Sequence, residues 1–351
     1  MVVKPKIIAG PCSAETREQI LNTASQLSSD RIDFFRAGIW KPRTRPGAFE
    51  GIGYEGLNWM TEVKEKFKLR ICTEVASPEH VEAVLKKGFD MVWIGARSTA
   101  NPFTVQEISE ALKGVKIPVM IKNPTNPDLK LWIGALERMM NGGIEDLSAI
   151  HRGFSVYEKN LYRNNPNWQI ALDLKKELPN IPLLCDPSHI SGRRHLIHNI
   201  SQKAMDLDYD GLMIETHCNP NQALTDKKQQ LTPDELFELL SSLKLRSRKE
   251  FMDEQLRDFR MNLSEIDSDI IALLKKRMDI SEQIGSYKKE LNMVIFQKSI
   301  WEKAFKENVQ NALDVELSEE FASQLFKLIH QESIVKQSKI FLKPDEEDYS
   351  I

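Results

Sequence analysis

The sequence has few cysteines, no long apolar run and almost no net charge. Its four cysteines stand apart with no CxxC spacing, which argues against a disulfide framework and against a zinc ribbon. No apolar run approaches the roughly 18 residues of a membrane helix, and the opening stretch MVVKPKIIAGPCS lacks the apolar core and cleavage site of a signal peptide. A formal net charge of -3, with no basic half, gives little reason to expect binding to nucleic acid or to a membrane. These absences predict a soluble, unexported protein of the reducing cytoplasm.

Short apolar runs alternate with amphipathic segments along the first two thirds of the chain. Eight runs have the length of buried strands: KIIAG, DFFRAGI, LRICTEV, DMVWIGA, PVMIKN, LSAIHRG, PLLCDPS and GLMIETH. Between many of them lie helix patterns such as SPEHVEAVLKKG, in which Ser77 is the predicted N-cap, Pro78 the first helical residue and Gly88 the residue past the end. Strand alternating with helix eight times predicts an α/β fold of the (β/α)8 TIM-barrel type, with a doubly wound open sheet as the alternative.

A change of pattern marks a second domain. The eighth unit closes with the helix pattern TPDELFELLSSLKL, so we expect the barrel to span residues 1–245 and a charged linker to span residues 246–252. Residues 253–342 contain no strand pattern and predict an all-α domain, and residues 343–351 form an acidic tail. The first helix of this domain carries apolar residues three and four positions apart, here named the apolar stripe: Leu256, Phe259, Leu263, Ile266, Ile270, Leu273, Ile280 and Ile284. So long a helix needs a partner, and SEEFASQLFKLIHQESIVKQ predicts another helix.

The ends of the predicted strands carry ionisable or metal-seeking side chains. They are Cys12 after the first strand, Arg36 to Arg43 after the second, Arg97 after the fourth, Lys122 after the fifth, Arg152 after the sixth, Asp186 and His189 after the seventh, and Glu215 after the eighth. Glu74, after the third, could simply pair with a lysine. A single cysteine or arginine of this kind is most often a buried hydrophobe or a solvated charge. Coincidence at successive strand ends is much less probable, because the chemistry of this fold takes place there.

Cations collected at one barrel mouth predict anionic substrates. They repel one another and lose hydration unless anions compensate them. Six are too many for one phosphate and suit two anionic substrates: Arg36, Lys41, Arg43, Arg97, Lys122 and Arg152. A thiolate, an imidazole and two carboxylates suit a divalent transition metal that acts as a Lewis acid, and these are supplied by Cys12, His189, Glu215 and, further along the last loop, Asp226. The sequence therefore predicts a metal-assisted condensation of two anions.

Six motifs occur in an order that is familiar from one enzyme family. They are AGPCS, KPRT, GARSTAN, IKNP, DPSHISGRR and GLMIETHCNPNQALTDKKQQL. Across the whole barrel the chain resembles the 3-deoxy-D-arabino-heptulosonate 7-phosphate (DAHP) synthases, in the beta subgroup of their first type. The resemblance implies condensation of phosphoenolpyruvate with erythrose 4-phosphate at the entry to the shikimate pathway. It also implies a divalent metal, with Mn2+ expected and Fe2+, Co2+ or Zn2+ as alternatives.

The matching motifs imply a role for each side chain of the barrel mouth. The implied metal ligands are Cys12, His189, Glu215 and Asp226. The implied phosphoenolpyruvate contacts are Lys41, Arg97, Lys122 and Arg152, with Arg36 in support. Lys41 is also implied to be catalytic, and Asp186 is implied to be a further substrate-binding residue. Arg43 and Thr44 would bind the phosphate of the aldose, and the prolines beside them would hold the loop between the two substrates. In the implied reaction C3 of the enol attacks the metal-polarised aldehyde, water adds at C2 and phosphate leaves.

Two other interpretations of the barrel stay open. The sister enzyme, which makes the eight-carbon acid 3-deoxy-D-manno-octulosonate 8-phosphate, carries an asparagine-bearing KANRS type of loop where this chain has KPRT. A catalytically silent barrel that senses phosphosugars would need no metal set, so the intact Cys, His, Glu and Asp combination argues against it.

Polar residues interrupt the inward faces of the helical domain. Arg277 occupies a position of the apolar stripe where the spacing calls for an apolar residue, although an isolated arginine there could simply snorkel. Arg260 and Lys288 border the same face, and Ser333 and Gln337 continue the inward face of the last helix. Polar groups on the inward faces of several helices predict a buried pocket for an anion inside a bundle.

This layout resembles the AroQ-type chorismate mutases over about residues 252–339. The resemblance implies a homodimer formed through the helical domain, in which Arg277 and Arg260 of the partner chain bind the two carboxylates of chorismate. Lys288 and Gln337 would contact the ether oxygen, Ser333 would support them, and no cofactor would be needed. The family usually has an acidic residue and an arginine where this chain has Gln297 and Ile300 in VIFQKSIW, and Trp301 follows them. The alternative is therefore a binding and dimerising module that senses a pathway product.

The pairing of the two domains predicts regulation. The first strand pattern starts almost at Met1, so we expect no regulatory domain before the barrel, and the mutase domain is the spare ligand-binding module. We therefore expect prephenate, the mutase product, to inhibit the synthase across a short charged linker.

Overall fold

The computed structural model describes residues 4–41, 47, 49–157, 161–247 and 253–342. The chain divides into two compact units, Met1–Lys249 and Glu250–Ile351. The predicted linker lies mostly outside the described residues and the predicted acidic tail lies wholly outside them, so the domain boundaries stay predictions.

The first unit is a closed barrel of eight parallel strands in chain order, with β8 paired to β1. The strands are β1 Lys6–Gly10, β2 Phe34–Arg36, β3 Ile71–Val75, β4 Met91–Ile94, β5 Val119–Lys122, β6 Leu147–His151, β7 Leu183–Cys185 and β8 Gly211–Glu215. All eight predicted runs contain one of these strands, and the closed order excludes the open sheet. Glu74 lies within β3 rather than after it, which corrects its predicted position.

Helices follow the strands around the barrel. They are α1 Arg17–Leu27, α2 Tyr54–Phe67, α3 Pro78–Lys86, α4 Ala96–Thr99, α5 Pro102–Ala111, α6 Leu129–Asn141, α7 Trp168–Glu177, α8 Pro187–Ser191, α9 Arg194–Asp206 and α10 Pro233–Ser242. The predicted caps are confirmed: the Ser77 side chain accepts a hydrogen bond from the first turn of α3, and Thr232 and Glu235 form a reciprocal capping box at α10.

A filled interior positions the functional end of the barrel. One buried apolar cluster draws on all eight strands and on no helix: Ile8, Phe34, Cys72, Met91, Trp93, Met120, Ile150, Leu184 and Met213. A larger cluster joins the other faces of the strands to the surrounding helices. Because the interior is packed, chemistry is confined to the loops at the carboxyl ends of the strands.

The second unit is all helical. Its helices are α11 Glu254–Glu290, α12 Lys298–Asp314 and α13 Glu319–Phe341, and α13 packs against both others. Only Met278, Ser281 and Gly285 of α11 are buried, whereas the side chains of the apolar stripe are 44% (Ile284) to 67% (Leu273) exposed in the single chain. The predicted long helix is confirmed, and its apolar stripe is not covered by the described residues of its own chain. Among the described helices, none combines the length and apolar character of a membrane-crossing segment.

Candidate active sites

Four potential metal ligands converge at the carboxyl end of the barrel. Cys12 follows β1, Glu215 ends the neighbouring β8, and Asp226 lies in the loop after β8; one ligand atom of each lies within 4.8 Å of the others. His189, in α8 after β7, places Nε2 3.6 Å from Glu215 Oε1 and 3.9 Å from Asp226 Oδ2. Glu215 Oε1 is buried and accepts no hydrogen bond from a described residue, although Arg36 Nη1 lies 3.4 Å away as an ion-pair partner. An oxygen of this kind suits a cation, so the donor set fits a divalent metal.

The charges of these ligands depend on one another. Burial alone would raise the pKa of Glu215, but His189 and Arg36 lower it on balance. The pKa of Asp226 is likewise lowered, since His189 and Arg163 outweigh its burial. Burial, with Glu215 next in importance, raises the pKa of the Cys12 thiol to about 12. A divalent cation among two carboxylates would reverse that effect, because a coordinating thiol loses its proton.

Asp186 organises the side of the site that holds His189. Its carboxylate is wholly buried, caps α8 by accepting the His189 backbone N–H at 3.0 Å, and lies 2.8 Å from His189 Nδ1. Lys122 Nζ donates to the same carboxylate at 2.7 Å. Burial alone would raise the pKa of Asp186, but His189 and Lys122 hold it well below its usual range. Asp186 therefore orients a predicted ligand and a predicted substrate contact together.

Predicted substrate cations line a cavity above these ligands. Lys41, Arg97, Lys122 and Arg152 all face it, together with His189 and Asp226. Lys41 Nζ donates to Cys12 Sγ at 3.2 Å. Burial alone would lower the pKa of Lys41, but Cys12 raises it on balance, so the side chain stays protonated at neutral pH.

Arg152 and Arg36 are fixed by different neighbours. Arg152 Nη1 donates to Asn164 Oδ1 at 2.8 Å, and burial lowers the pKa of its guanidinium to about 10. Arg36 is 1% exposed, and its Nη2 donates to the Cys12 carbonyl oxygen at 3.0 Å. Its guanidinium also lies over the Trp93 ring at 4.9 Å. Arg36 therefore supports the Cys12 turn from inside the barrel and does not line the cavity.

The structure places at this site side chains that the sequence did not reveal. Arg163 lines the cavity, and its Nη1 donates to Asp226 Oδ1 at 2.8 Å and to Gln229 Oε1 at 2.7 Å. Gln229 Nε2 in turn donates to Glu215 Oε2 at 2.8 Å. The last motif includes Gln229 and could have pointed to it, but Arg163 lies in a loop at no strand end. The predicted aldose-phosphate contacts Arg43 and Thr44 lie outside the described residues.

The helical unit brings four of its five predicted site residues to the α11–α13 contact. Arg277 Nη1 donates to Ser333 Oγ at 2.7 Å, and Lys288 Nζ donates to the Ile295 carbonyl oxygen at 2.6 Å. Gln337 is buried and its Oε1 accepts no hydrogen bond from a described residue. A Cβ at Gly285 would lie 3.0 Å from Gln337 Cγ, so a glycine there lets the two helices approach.

Arg260 lies apart from these four residues. It is 17 positions before Arg277 on the same helix, a rise of about 25 Å, and its side chain is exposed. Within one chain it lies too far along α11 to contact Arg277, whose own side chain is exposed.

His330 is a second residue that the sequence did not reveal. It lies one turn before Ser333 on α13 and stacks on Trp301 at 3.7 Å between ring centroids, with Phe296 edge-on at 5.8 Å. Burial lowers the pKa of His330, and Arg277 and Lys288 lower it further. Trp301 thus packs against α13 one turn from Ser333, while Ile300 is exposed.

A barrel with this donor set and cation lining, followed by a helical bundle, defines a two-domain enzyme. Residues 3–249 match the DAHP synthetase I family, and residues 259–338 match chorismate mutase type II. The chain belongs to the DAHP synthetase I family, and it carries a DAHP synthase domain, which is a transferase, and a chorismate mutase domain, which is an isomerase.

Known proteins that match about two thirds of this chain illustrate the similarity. A phospho-2-dehydro-3-deoxyheptonate aldolase of Thermotoga maritima is 32% identical over 68% of this chain and 68% of its own length. The crystal structure of this type of enzyme from Thermotoga maritima superposes with a TM-score of 0.60, at 30% identity over 67% of each chain. A 2-dehydro-3-deoxyphosphooctonate aldolase of Helicobacter pylori is 26% identical over 68% of this chain and 94% of its own length.

Proposed function

We propose that this chain condenses phosphoenolpyruvate with erythrose 4-phosphate to DAHP in a metal-dependent reaction, and rearranges chorismate to prephenate. The observation that carries the first activity is the convergence of Cys12, His189, Glu215 and Asp226 beneath a cavity lined by cations. The direct test is DAHP formation by purified chain that has been dialysed against EDTA, with and without added Mn2+. Activity that needs no metal would contradict the proposal.

Four side chains would bind the metal. Cys12, His189, Glu215 and Asp226 would hold a divalent ion, with Mn2+ expected and Fe2+, Co2+ or Zn2+ as alternatives. When bound, the ion supplies Lewis-acid polarisation of the aldose aldehyde.

The protein's own residues position the other substrate. Lys41, Arg97, Lys122 and Arg152 bind phosphoenolpyruvate, and Asp186 keeps Lys122 in place. C3 of the enol then attacks the aldehyde, water adds at C2 and phosphate leaves. Lys41 is protonated beside the reacting groups and donates a hydrogen bond to the oxygen on which negative charge develops.

The mutase reaction requires positioning and charge complementarity alone. Arg277, held by Ser333, binds one carboxylate of chorismate, and Arg260 of a second copy of the chain binds the other. Lys288 and Gln337 donate hydrogen bonds to the ether oxygen as its bond breaks.

A homodimer would cover the apolar stripe and bring Arg260 to the second pocket. We predict that Leu263→Asp, which places a charge in the stripe, lowers both dimer content and mutase activity. Asn262→Asp adds the same charge one residue away and is the matched control. Analytical ultracentrifugation and a prephenate assay read the two effects. A Leu263→Asp chain that stays dimeric and active would exclude this interface.

Prephenate is expected to inhibit the synthase by binding in the mutase pocket. The expected coupling is about 1 to 3 kcal/mol, or roughly 5- to 150-fold in affinity, and barrel substrates must weaken prephenate binding by the same factor. The measurement is a prephenate titration of synthase activity in the full chain, in full-length Arg277→Ala and in a chain truncated after Leu245.

Sensitivity confined to the wild-type full chain would locate the sensor in the mutase pocket. Equal inhibition of all three would place the inhibitor on the barrel, and insensitivity of all three would refute the regulation.

The cytoplasmic location stays a prediction from the sequence.

A further inference from the structure

A buried carboxylate outside the predicted site binds the loop that carries Asp226. Glu15 is 9% exposed and lies two residues before α1. Its two oxygens accept the backbone N–H of Leu224, each at 2.9 Å, and Oε1 also accepts that of Thr225 at 3.3 Å. Ser13 Oγ donates to the same carboxylate at 3.0 Å. The charge of Glu15 is thus stabilised largely by peptide N–H groups of one loop, at the cost of burying it.

Two further bridges join the same segments. Ser13 Oγ and Thr225 Oγ1 are hydrogen-bonded at 2.5 Å. Gln230 Oε1 accepts the backbone N–H of Cys12 at 2.9 Å, while its Nε2 donates to the Thr225 carbonyl oxygen at 2.8 Å. The side chains of Ser13, Thr225 and Gln230 are at most 4% exposed, so losing one of their bonds would leave a buried polar group unpaired.

The loop needs this support because of the conformation at its end. Asp226 directly follows Thr225 and has a φ of 47°, in the left-handed region that costs a non-glycine residue energy. In this conformation Asp226 Oδ2 lies 3.4 Å from Cys12 Sγ. A loop that relaxed from its bonds to Glu15 would carry the carboxylate away from the thiol.

We propose that Glu15 is a positioning residue of the synthase. With Ser13 and Thr225, it fixes the distance between Cys12 and Asp226 and so the affinity of their site for a divalent cation. This inference rests on the metal site proposed above. Glu15 itself contacts neither the cation nor the substrates.

The test compares three full-length variants in an equilibrium Mn2+ titration that follows free Mn2+ by electron paramagnetic resonance. Glu15→Gln keeps the volume but turns an NH2 group toward backbone donors, and we expect Mn2+ affinity to fall at least about 10-fold, as for other outer partners of metal ligands. Ser13→Ala should weaken binding in the same direction. Glu18→Gln removes an exposed carboxylate three residues away and should leave the affinity unchanged.

The dependence of synthase activity on Mn2+ concentration is a second measurement. At saturating Mn2+, kcat of Glu15→Gln should approach that of the wild type, while the Mn2+ concentration for half-maximal activity rises. If the role of Glu15 were purely structural, Glu15→Gln would instead have a lower melting temperature, and its folded fraction would keep the wild-type affinity for Mn2+. If Glu15→Gln fails to fold, the Ser13→Ala titration decides.

The possible failures are distinguishable. Wild-type affinity in folded Glu15→Gln, or in Ser13→Ala where that variant decides, would overturn this inference and leave the metal site standing. A wild-type chain that binds no Mn2+ would overturn the metal site and this inference with it.

Discussion

Cys12→Ser is expected to lose DAHP formation by at least about 100-fold while the barrel stays folded. Changing an outer partner of a metal ligand commonly costs 10- to 100-fold, so replacing a ligand itself should cost more. A serine hydroxyl also binds a transition metal far more weakly than a thiolate does. The substitution is small and isosteric at a 1% exposed position, so circular dichroism and the melting temperature should change little.

Cys218→Ser is the matched control for this experiment. Cys218 is a free, half-buried cysteine after β8, and its Sγ makes two long contacts with described residues, 3.9 Å to the Gln19 carbonyl oxygen and 3.9 Å to His217 Nδ1. The control should keep full activity and remain sensitive to EDTA. Near-normal turnover of Cys12→Ser in chelated buffer would remove Cys12 from the ligand set.

Arg277→Ala is expected to abolish prephenate formation, lowering kcat/KM by at least about 100-fold, which is the usual cost of one preorganised donor to developing or bound charge. The substitution also removes the hydrogen bond from Arg277 Nη1 to Ser333 Oγ. A single hydrogen bond contributes little net stability, so the free energy of unfolding should change by about 1 kcal/mol or less. Steady-state kinetics and chemical denaturation measure the two effects.

Lys275→Ala removes a cation from the opposite face of α11 and serves as the control. Its side chain is exposed and forms an ion pair with Asp279 one turn away, so neither activity nor stability should change appreciably. Rapid prephenate formation by Arg277→Ala would show that the rearrangement does not depend on Arg277 and would remove this residue from the proposed site. Unfolding of the bundle would assign Arg277 a structural role instead.

The barrel could be predicted because its signals are local. Each strand is a short apolar run, and caps such as Ser77 and the Thr232–Glu235 box act within one turn. The convergence of Cys12 and Glu215 could also be predicted, since the fold brings strand ends together, whereas the position of Asp226 depends on the loop after β8.

The supporting residues could not be predicted in the same way. Arg163 and Glu15 act through loops whose positions depend on contacts across 63 and about 210 residues of sequence, and no periodic pattern marks them. His330 lies on a helix face that the spacing does identify, but its stacking on Trp301 depends on how two helices pack. The apolar stripe could be predicted from its spacing, but its partner could not, because a sequence reveals an apolar face without revealing what covers it.

The choice of aldose tests the central claim most directly. Both a phospho-2-dehydro-3-deoxyheptonate aldolase and a 2-dehydro-3-deoxyphosphooctonate aldolase match about two thirds of this chain. The loop proposed to contact the aldose phosphate includes Arg43 and Thr44, which lie outside the described residues. The measurement is phosphoenolpyruvate consumption by the Mn2+-loaded full chain with erythrose 4-phosphate or with arabinose 5-phosphate, each at the same concentration. We predict rapid consumption with the four-carbon aldose, a seven-carbon product, and little consumption with the five-carbon aldose. Preference for arabinose 5-phosphate, with an eight-carbon product, would contradict the proposed function.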